Sequence, residues 1–217
     1  GFRRSGSPAA ATETTQKSAT RPGVSSALAA KIDGFAFEPH FLGEVEARDL
    51  FARLLHDVAW TQPTISLFGV RRPIPRLEAW YGDLDARYRY SGIAHDPLPW
   101  TAELAALRDR LRTYAGAPFN SVLVNLYRDG RDSNGWHSDD ERELGPAPTI
   151  ASLSLGATRR FFIKAKESGE RHAFDLCDGS LLLMSGASQQ LWKHAIPKEP
   201  HVQHARINLT FRTILPA

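Results

Sequence analysis

The segment Asn134 to Glu143 reads NGWHSDDERE. It places one of the chain's eight histidines two residues before a carboxylate, with Asp140 and Glu141 following at once. Positions i and i+2 of a strand share a face, so His137 and Asp139 can present an imidazole nitrogen and a carboxylate oxygen to one point. A third ligand from another strand completes a 2-His-1-carboxylate facial triad, whose remaining adjacent positions on non-haem Fe(II) accept a co-substrate and oxygen. His194, inside the aromatic-flanked LWKHAIP, is the best third ligand, because His172, His201 and His204 stand in polar, turn-like surroundings. A lone His-x-Asp is weak evidence, an exposed acidic turn reads the same way, and a lone sheet histidine is more often structural than ligating. The combination of the three residues is what points to a metal.

The segment RINLTFR supplies a second constellation. Alternation puts Arg206, Asn208, Thr210 and Arg212 on one face and Ile207, Leu209 and Phe211 on the other. An exposed edge strand has this pattern, and so does a barrel interior that binds a dianion. The two arginines stand about 20 Å apart along a strand rising about 3.3 Å per residue, and each side chain reaches inward. The gap left suits a short dicarboxylate gripped at both ends, for which the guanidinium fork is the fitting donor. VNLY repeats the arrangement, with Asn125 and Tyr127 on one face and Val124 and Leu126 on the other.

These residues need a rigid frame. From Pro118 onward the apolar period is two, in short runs broken by turns, which predicts a β-sandwich or barrel. Before it, GEVEARDLFARLLHDVAW places Leu50, Phe51, Leu54, Leu55 and Val58 at helical spacing, and a second helix starts after the N-cap Thr101. Its stripe is Leu104, Leu107, Leu111 and Tyr114, and Gly116 stops it. Both helices cover a sheet, making the fold class mainly β with flanking helices (α+β). Residues 1–30 are rich in Ala, Ser, Thr and Gly with Glu13 as their one acid, and are expected to form a disordered tail. Their Arg and Ser content faintly resembles an organellar transit peptide.

With 217 residues, 42% hydrophobic, the chain suits one domain with a sizeable core. No apolar run approaches the roughly 20 residues of a membrane-spanning helix, and no membrane partner is expected. Cys177 is the only cysteine, which excludes an intramolecular disulfide and fits an intracellular setting. The net charge of +3 is compatible with a polyanionic partner without demanding one.

Taken together, NLYRDG, WHSDDE, IASLSLGATRRF, GSLLLMSGA, KHAIPK and RINLTFRTI resemble the AlkB family of Fe(II)- and 2-oxoglutarate-dependent nucleic-acid dealkylases, from about Phe35 to Ile214. The resemblance implies a double-stranded β-helix (jelly-roll) core over 118–217, preceded over 31–117 by helices and a nucleotide-recognition lid. It implies His137, Asp139 and His194 as the catalytic iron ligands. Arg206 and Tyr127 would hold the distal carboxylate of 2-oxoglutarate, Asn125 and Arg212 would lie nearer its chelating end, and Asn208 would support the pocket. O₂ is the oxidant, and methyl groups on 1-methyladenine or 3-methylcytosine leave as formaldehyde, a DNA-repair reaction. The same core serves RNA and protein demethylases. A catalytically silent nucleic-acid-binding module would have a broken triad, and a zinc hydrolase would not need the arginine strand.

A base alkylated at those ring nitrogens is cationic, which gives Asp140 a role beside the metal. Reaching it requires extrusion and stacking. The resemblance points to Tyr81 as the ring opposite His137 and to Tyr88 and Tyr90 as lid contacts, with Trp80 in the core. Phe68, in SLFGVRRPIP, stands in a turn where an apolar ring can wedge into a base stack. Arg71, Arg72, Arg76, Arg159 and Arg160 are possible phosphate contacts. A monomer is expected, cytoplasmic in a bacterium and nuclear in a eukaryote.

Overall fold

The computed structural model describes residue 1 and residues 32–67, 69–86, 88–90 and 93–216, without the side chains of 67, 88–90 and 93–95. The chain divides into two units, Gly1–Ala30 and Lys31–Ala217, and every element of secondary structure described below belongs to the second. Apart from Gly1, the expected tail lies outside the described residues, as do Phe68 and the side chains of Tyr88 and Tyr90.

Strand β1 (Phe35–Glu38) leads into α1 (Glu44–Asp57). Two hairpins and a longer strand follow: β2 (Thr64–Leu67) with β3 (Val70–Pro73), β4 (Leu77–Gly82), and β5 (Tyr88–Tyr90) with β6 (Ile93–His95). Gly69 closes the first hairpin at φ +78, a backbone setting that disfavours side chains with a Cβ. Helix α2 (Ala102–Ala115) opens where Thr101 Oγ1 accepts the Leu104 N–H at 3.2 Å and ends at left-handed Gly116. The remaining strands are β7 (Ser121–Tyr127), β8 (Asn134–His137), β9 (Ile150–Gly156), β10 (Arg159–Ala165), β11 (Arg171–Leu176), β12 (Leu181–Met184), β13 (Trp192–Ile196) and β14 (Arg206–Arg212). A single helical turn, α3 (Ser188–Leu191), takes the first residue of LWKHAIP, and the strand that carries His194 starts only at Trp192.

Two antiparallel sheets make the jelly roll. The larger runs β1-β12-β9-β14-β7-β4 and the smaller β11-β10-β13-β8. The helices cover the outer face of the larger sheet, where Ala47, Leu50, Leu54, Leu104, Leu107 and Leu111 join Val122, Val124, Leu153, Ile207, Leu209 and Phe211 in one buried cluster. Leu55 and Tyr114, at the margins of the expected stripes, are exposed, because a helix on a sheet buries a narrower stripe than one enclosed on several sides. Between the sheets, Ile150, Phe161, Ile163, Phe174, Leu176, Leu182, Met184 and Ile196 form a second cluster. β1, without a signal of its own in the sequence, pairs with β12 and adds Phe35 and Phe37 to this layer. The rest of the intersheet space is polar. Among the described residues no helix is long and apolar enough to cross a membrane.

Candidate active site

The intersheet face of β14 is polar because its other face is committed to the helices. Arg206, Asn208 and Thr210 are buried there, each joined to the next. Arg206 Nη2 donates to Asn208 Oδ1 at 2.7 Å and to Ser154 Oγ at 2.8 Å. Asn208 Oδ1 also accepts from Ser152 Oγ, and Asn208 Nδ2 donates to Thr210 Oγ1 at 2.7 Å. Arg212 ends the row, giving Nη2–H and Nε–H to Asp139 Oδ2 at 2.7 and 3.2 Å. One strand face therefore carries a buried guanidinium at one end and, at the other, an arginine bonded to Asp139.

Strands β8 and β13 bring the histidines together, His194 pairing with His137 in register. Asp139 Oδ1 faces both rings, 3.7 Å from His137 Nε2 and 4.0 Å from His194 Nε2. A ligand atom of each residue lies within 4.8 Å of the others, a spacing that can hold a metal ion. His137 Nδ1–H donates to Gly135 O at 2.7 Å, which leaves Nε2 as the acceptor nitrogen, 3.3 Å from Asn134 Nδ2 and on the side of the Asp139 carboxylate. Burial is the main cause that lowers His194 to about 3, against the opposing pull of Asp139, so its ring is neutral and its lone pair available. Burial alone would raise the Asp139 carboxyl. Arg212, by its charge and its hydrogen bonds, outweighs it and holds the group below the usual carboxylate range.

The other end of β14 has a different deficit. Arg206 is 1% exposed, and its Nε and Nη1 are buried without a hydrogen-bond partner. Burial, with Tyr127 opposing it and Arg159 adding to it, lowers this guanidinium to about 10, still cationic near neutrality. The Tyr127 ring lies near two guanidiniums, Arg206 at 5.3 Å and Arg159 at 5.6 Å from its centroid. A buried cation with two free N–H directions is costly alone and fits an anionic ligand that supplies the missing acceptors. Asn125 is buried on the same face, its Oδ1 accepting from Arg76 Nε at 2.8 Å.

The structure departs from the sequence reading at Tyr81. Its side chain is 4% exposed within the helix-facing core, its hydroxyl accepts the Ala59 N–H, and it does not face His137. The β4–β7 register opposes Tyr81 to Val122 and Glu78 to Asn125, so Glu78 and Trp80 share the face of Asn125 instead. Trp80 packs there on Ala86, Leu144 and Ile214. Asp140 is exposed and paired with Lys166 at 3.2 Å. Arg71 and Arg72 are exposed on β3, and Arg160 is exposed beside Asp175.

Arg159 is no phosphate contact. It is 1% exposed, bonded to Glu199 at 2.9 Å and to the carbonyls of Asp129, Asp132 and Pro197. It thereby ties the loop before β8 to the segment after β13, the two strands that hold the histidines. Arg159→Ala is expected to destabilise the fold by about 3–5 kcal/mol, because Glu199 and three carbonyls lose their donor. Urea denaturation measures this, and a loss under about 0.5 kcal/mol would contradict the role. Gln189, another residue without a sequence signal, is buried and accepts the Asp139 N–H at 2.9 Å.

Both the sequence and the fold have known counterparts. A family model described as the 2OG-Fe(II) oxygenase superfamily matches residues 34–212. The Homo sapiens protein named alpha-ketoglutarate-dependent dioxygenase alkB homolog 3 is 46% identical over 192 residues, covering 82% of this chain and 65% of that protein. The Mus musculus protein named DNA oxidative demethylase ALKBH2 is 40% identical over 185 residues, covering 80% of this chain and 77% of that protein. The solved structure of OsALKBH1 superposes with a TM-score of 0.62 at 18% identity, covering 83% of this chain and 98% of that one, a likeness of fold. The chain spans 63% of the length of the Rattus norvegicus alkB homolog 3 protein.

Proposed function

Because the chain belongs to the AlkB family within the 2OG-Fe(II) oxygenase superfamily, we propose that it oxidatively removes methyl groups from N-alkylated bases of DNA or RNA. The observation that supports this best is the pairing, on one strand face, of the triad end at Arg212 with the ligand-short Arg206. Fe(II) would be held by His137, Asp139 and His194, and 2-oxoglutarate by Arg206, Tyr127 and Asn125, with Asn208 bracing Arg206. Bound together with O₂, they would supply an oxidant able to hydroxylate a methyl C–H bond.

The protein's own residues do the orienting. Arg212 occupies Asp139 Oδ2 and leaves Oδ1, the oxygen facing both histidines, as the one that would bind a metal. The apolar cluster of β9 to β13 closes one side of the site and excludes water. Asp140, which pairs with Lys166, is the carboxylate after Asp139 and would add negative charge that favours a cationic methylated base. Hydroxylation of the methyl carbon leaves a hemiaminal, whose C–N bond breaks to give formaldehyde and the unmodified base.

The test is incubation with oligonucleotides containing 1-methyladenine or 3-methylcytosine, as single-stranded DNA, duplex DNA and RNA. Formaldehyde and restored base should appear in equal amounts and only with both Fe(II) and 2-oxoglutarate. Succinate formation with no base restored on any of the three would overturn the substrate assignment.

A further inference from the structure

The outer face of the smaller sheet, opposite the one that holds His194, has a composition the catalytic site does not use. On β11, Phe174 and Leu176 point into the intersheet core, while Arg171, Ala173 and Asp175 are exposed. Lys164 of β10 pairs in register with Arg171 on one side and with Lys193 of β13 on the other. Three cations thus stand side by side across three strands. Like charges directly opposite one another destabilise a sheet. Nearby carboxylates are engaged elsewhere: Asp175 with Arg160, Asp140 with Lys166 and Glu170 with His172. Among the described residues, none ion-pairs with Lys164, Arg171 or Lys193.

Beside this row lies an aromatic ring. Trp136 is 44% exposed on β8, the edge strand, and the Arg171 guanidinium sits 5.9 Å from its centroid. Phe162 shares the face under Arg160. Trp136 precedes His137 and Lys193 precedes His194, so the surface begins one residue from two proposed metal ligands, on the opposite face of the same sheet.

We propose that this face binds the stretch of nucleic acid flanking the target base, its phosphates on Lys193, Lys164 and Arg171 and one neighbouring base stacked on Trp136. The inference rests on the nucleic-acid reading above. Adjacent strands are about 4.8 Å apart, so the cationic row spans about 10 Å, enough for a short run of backbone crossing the β8 edge. Unpaired cations beside an exposed ring are the combination by which proteins hold single strands: charge follows the backbone, and the ring accepts any base. A merely solvated surface needs neither the unmatched row nor the exposed indole.

The test uses the full chain and an unmethylated twelve-nucleotide oligothymidylate, its affinity measured by fluorescence anisotropy across a salt series. A Lys164→Glu, Arg171→Glu double variant should bind at least about tenfold more weakly and with a shallower salt dependence. Trp136→Leu should weaken binding while leaving the salt slope unchanged, and Trp136→Phe should restore part of it. Demethylation of a methylated trinucleotide by the double variant should match the unmodified protein, because so short a ligand does not reach the row. Wild-type affinity in the double variant would overturn the proposal. So would displacement of the oligonucleotide by polyglutamate at equal charge concentration, which would make the face a general anion surface. Trinucleotide activity absent from the unmodified protein would refute the demethylase reading instead, and the binding series would still decide this one.

Discussion

His194→Ala abolishes turnover and leaves a folded protein. His194 is buried on β13, opposite His137 in register, and holds no charge that the fold depends on. Alanine removes one of the three proposed ligands, and two ligands hold an open iron site poorly. The loss should exceed the roughly 10–100-fold that results from deleting a group which only orients a ligand. Gln189→Ala supplies that comparison, since Gln189 touches the metal site only through the Asp139 N–H. Formaldehyde release measures activity, metal content shows whether iron is retained, and circular dichroism reports the fold. Wild-type repair by a purified His194→Ala protein would disprove the ligand assignment.

Arg206→Ala should raise the KM for 2-oxoglutarate about ten- to hundredfold, the equivalent of losing about 1.5–3 kcal/mol of charge-assisted hydrogen bonding. Arg206→Lys should recover only part, because an ammonium cannot reproduce the guanidinium fork. The same variants should behave differently without co-substrate. Arg206 is buried with two nitrogens unpartnered, so its removal should cost the ligand-free protein little stability, the lost contacts being offset by the desolvation it relieves. Thermal melts with and without 2-oxoglutarate separate the two effects: the melting temperature without ligand stays near that of the unmodified protein, and the rise on adding it disappears. An unchanged KM in Arg206→Ala would remove the dicarboxylate argument.

Much of the site was legible where local spacing determines side-chain direction. RINLTFR alternates without interruption, and its two faces part in the structure as the spacing implies, with Ile207, Leu209 and Phe211 under the helices and Arg206, Asn208 and Thr210 between the sheets. His137 and Asp139 are close in sequence and meet in space. The N-cap Thr101 and the stop at Gly116 are local features, and both ends of α2 stand where the spacing puts them. Gln189 and Arg159 left no such trace. Each acts through one or more distant backbone groups, and nothing in SQQL or ATRRF distinguishes a buried donor from a solvated one.

Residue order alone carries period, composition and the succession of chemically capable side chains: a β-rich core behind two amphipathic helices, a His-x-Asp pair, a distal histidine and an arginine at each end of one strand. Phase and partnership come from packing. Tyr81 and Trp80 alternate on any reading, but pairing of β4 with β7, and the helices on one side of that sheet, put Tyr81 in the core and Trp80 on the opposite face. Arg159 and Arg160 are adjacent and chemically identical, yet one is enclosed by Glu199 and three carbonyls and the other is exposed. The reason is the same in both cases. Backbone geometry makes successive strand side chains point to opposite sides, but which side is the interior depends on what the rest of the chain packs against it.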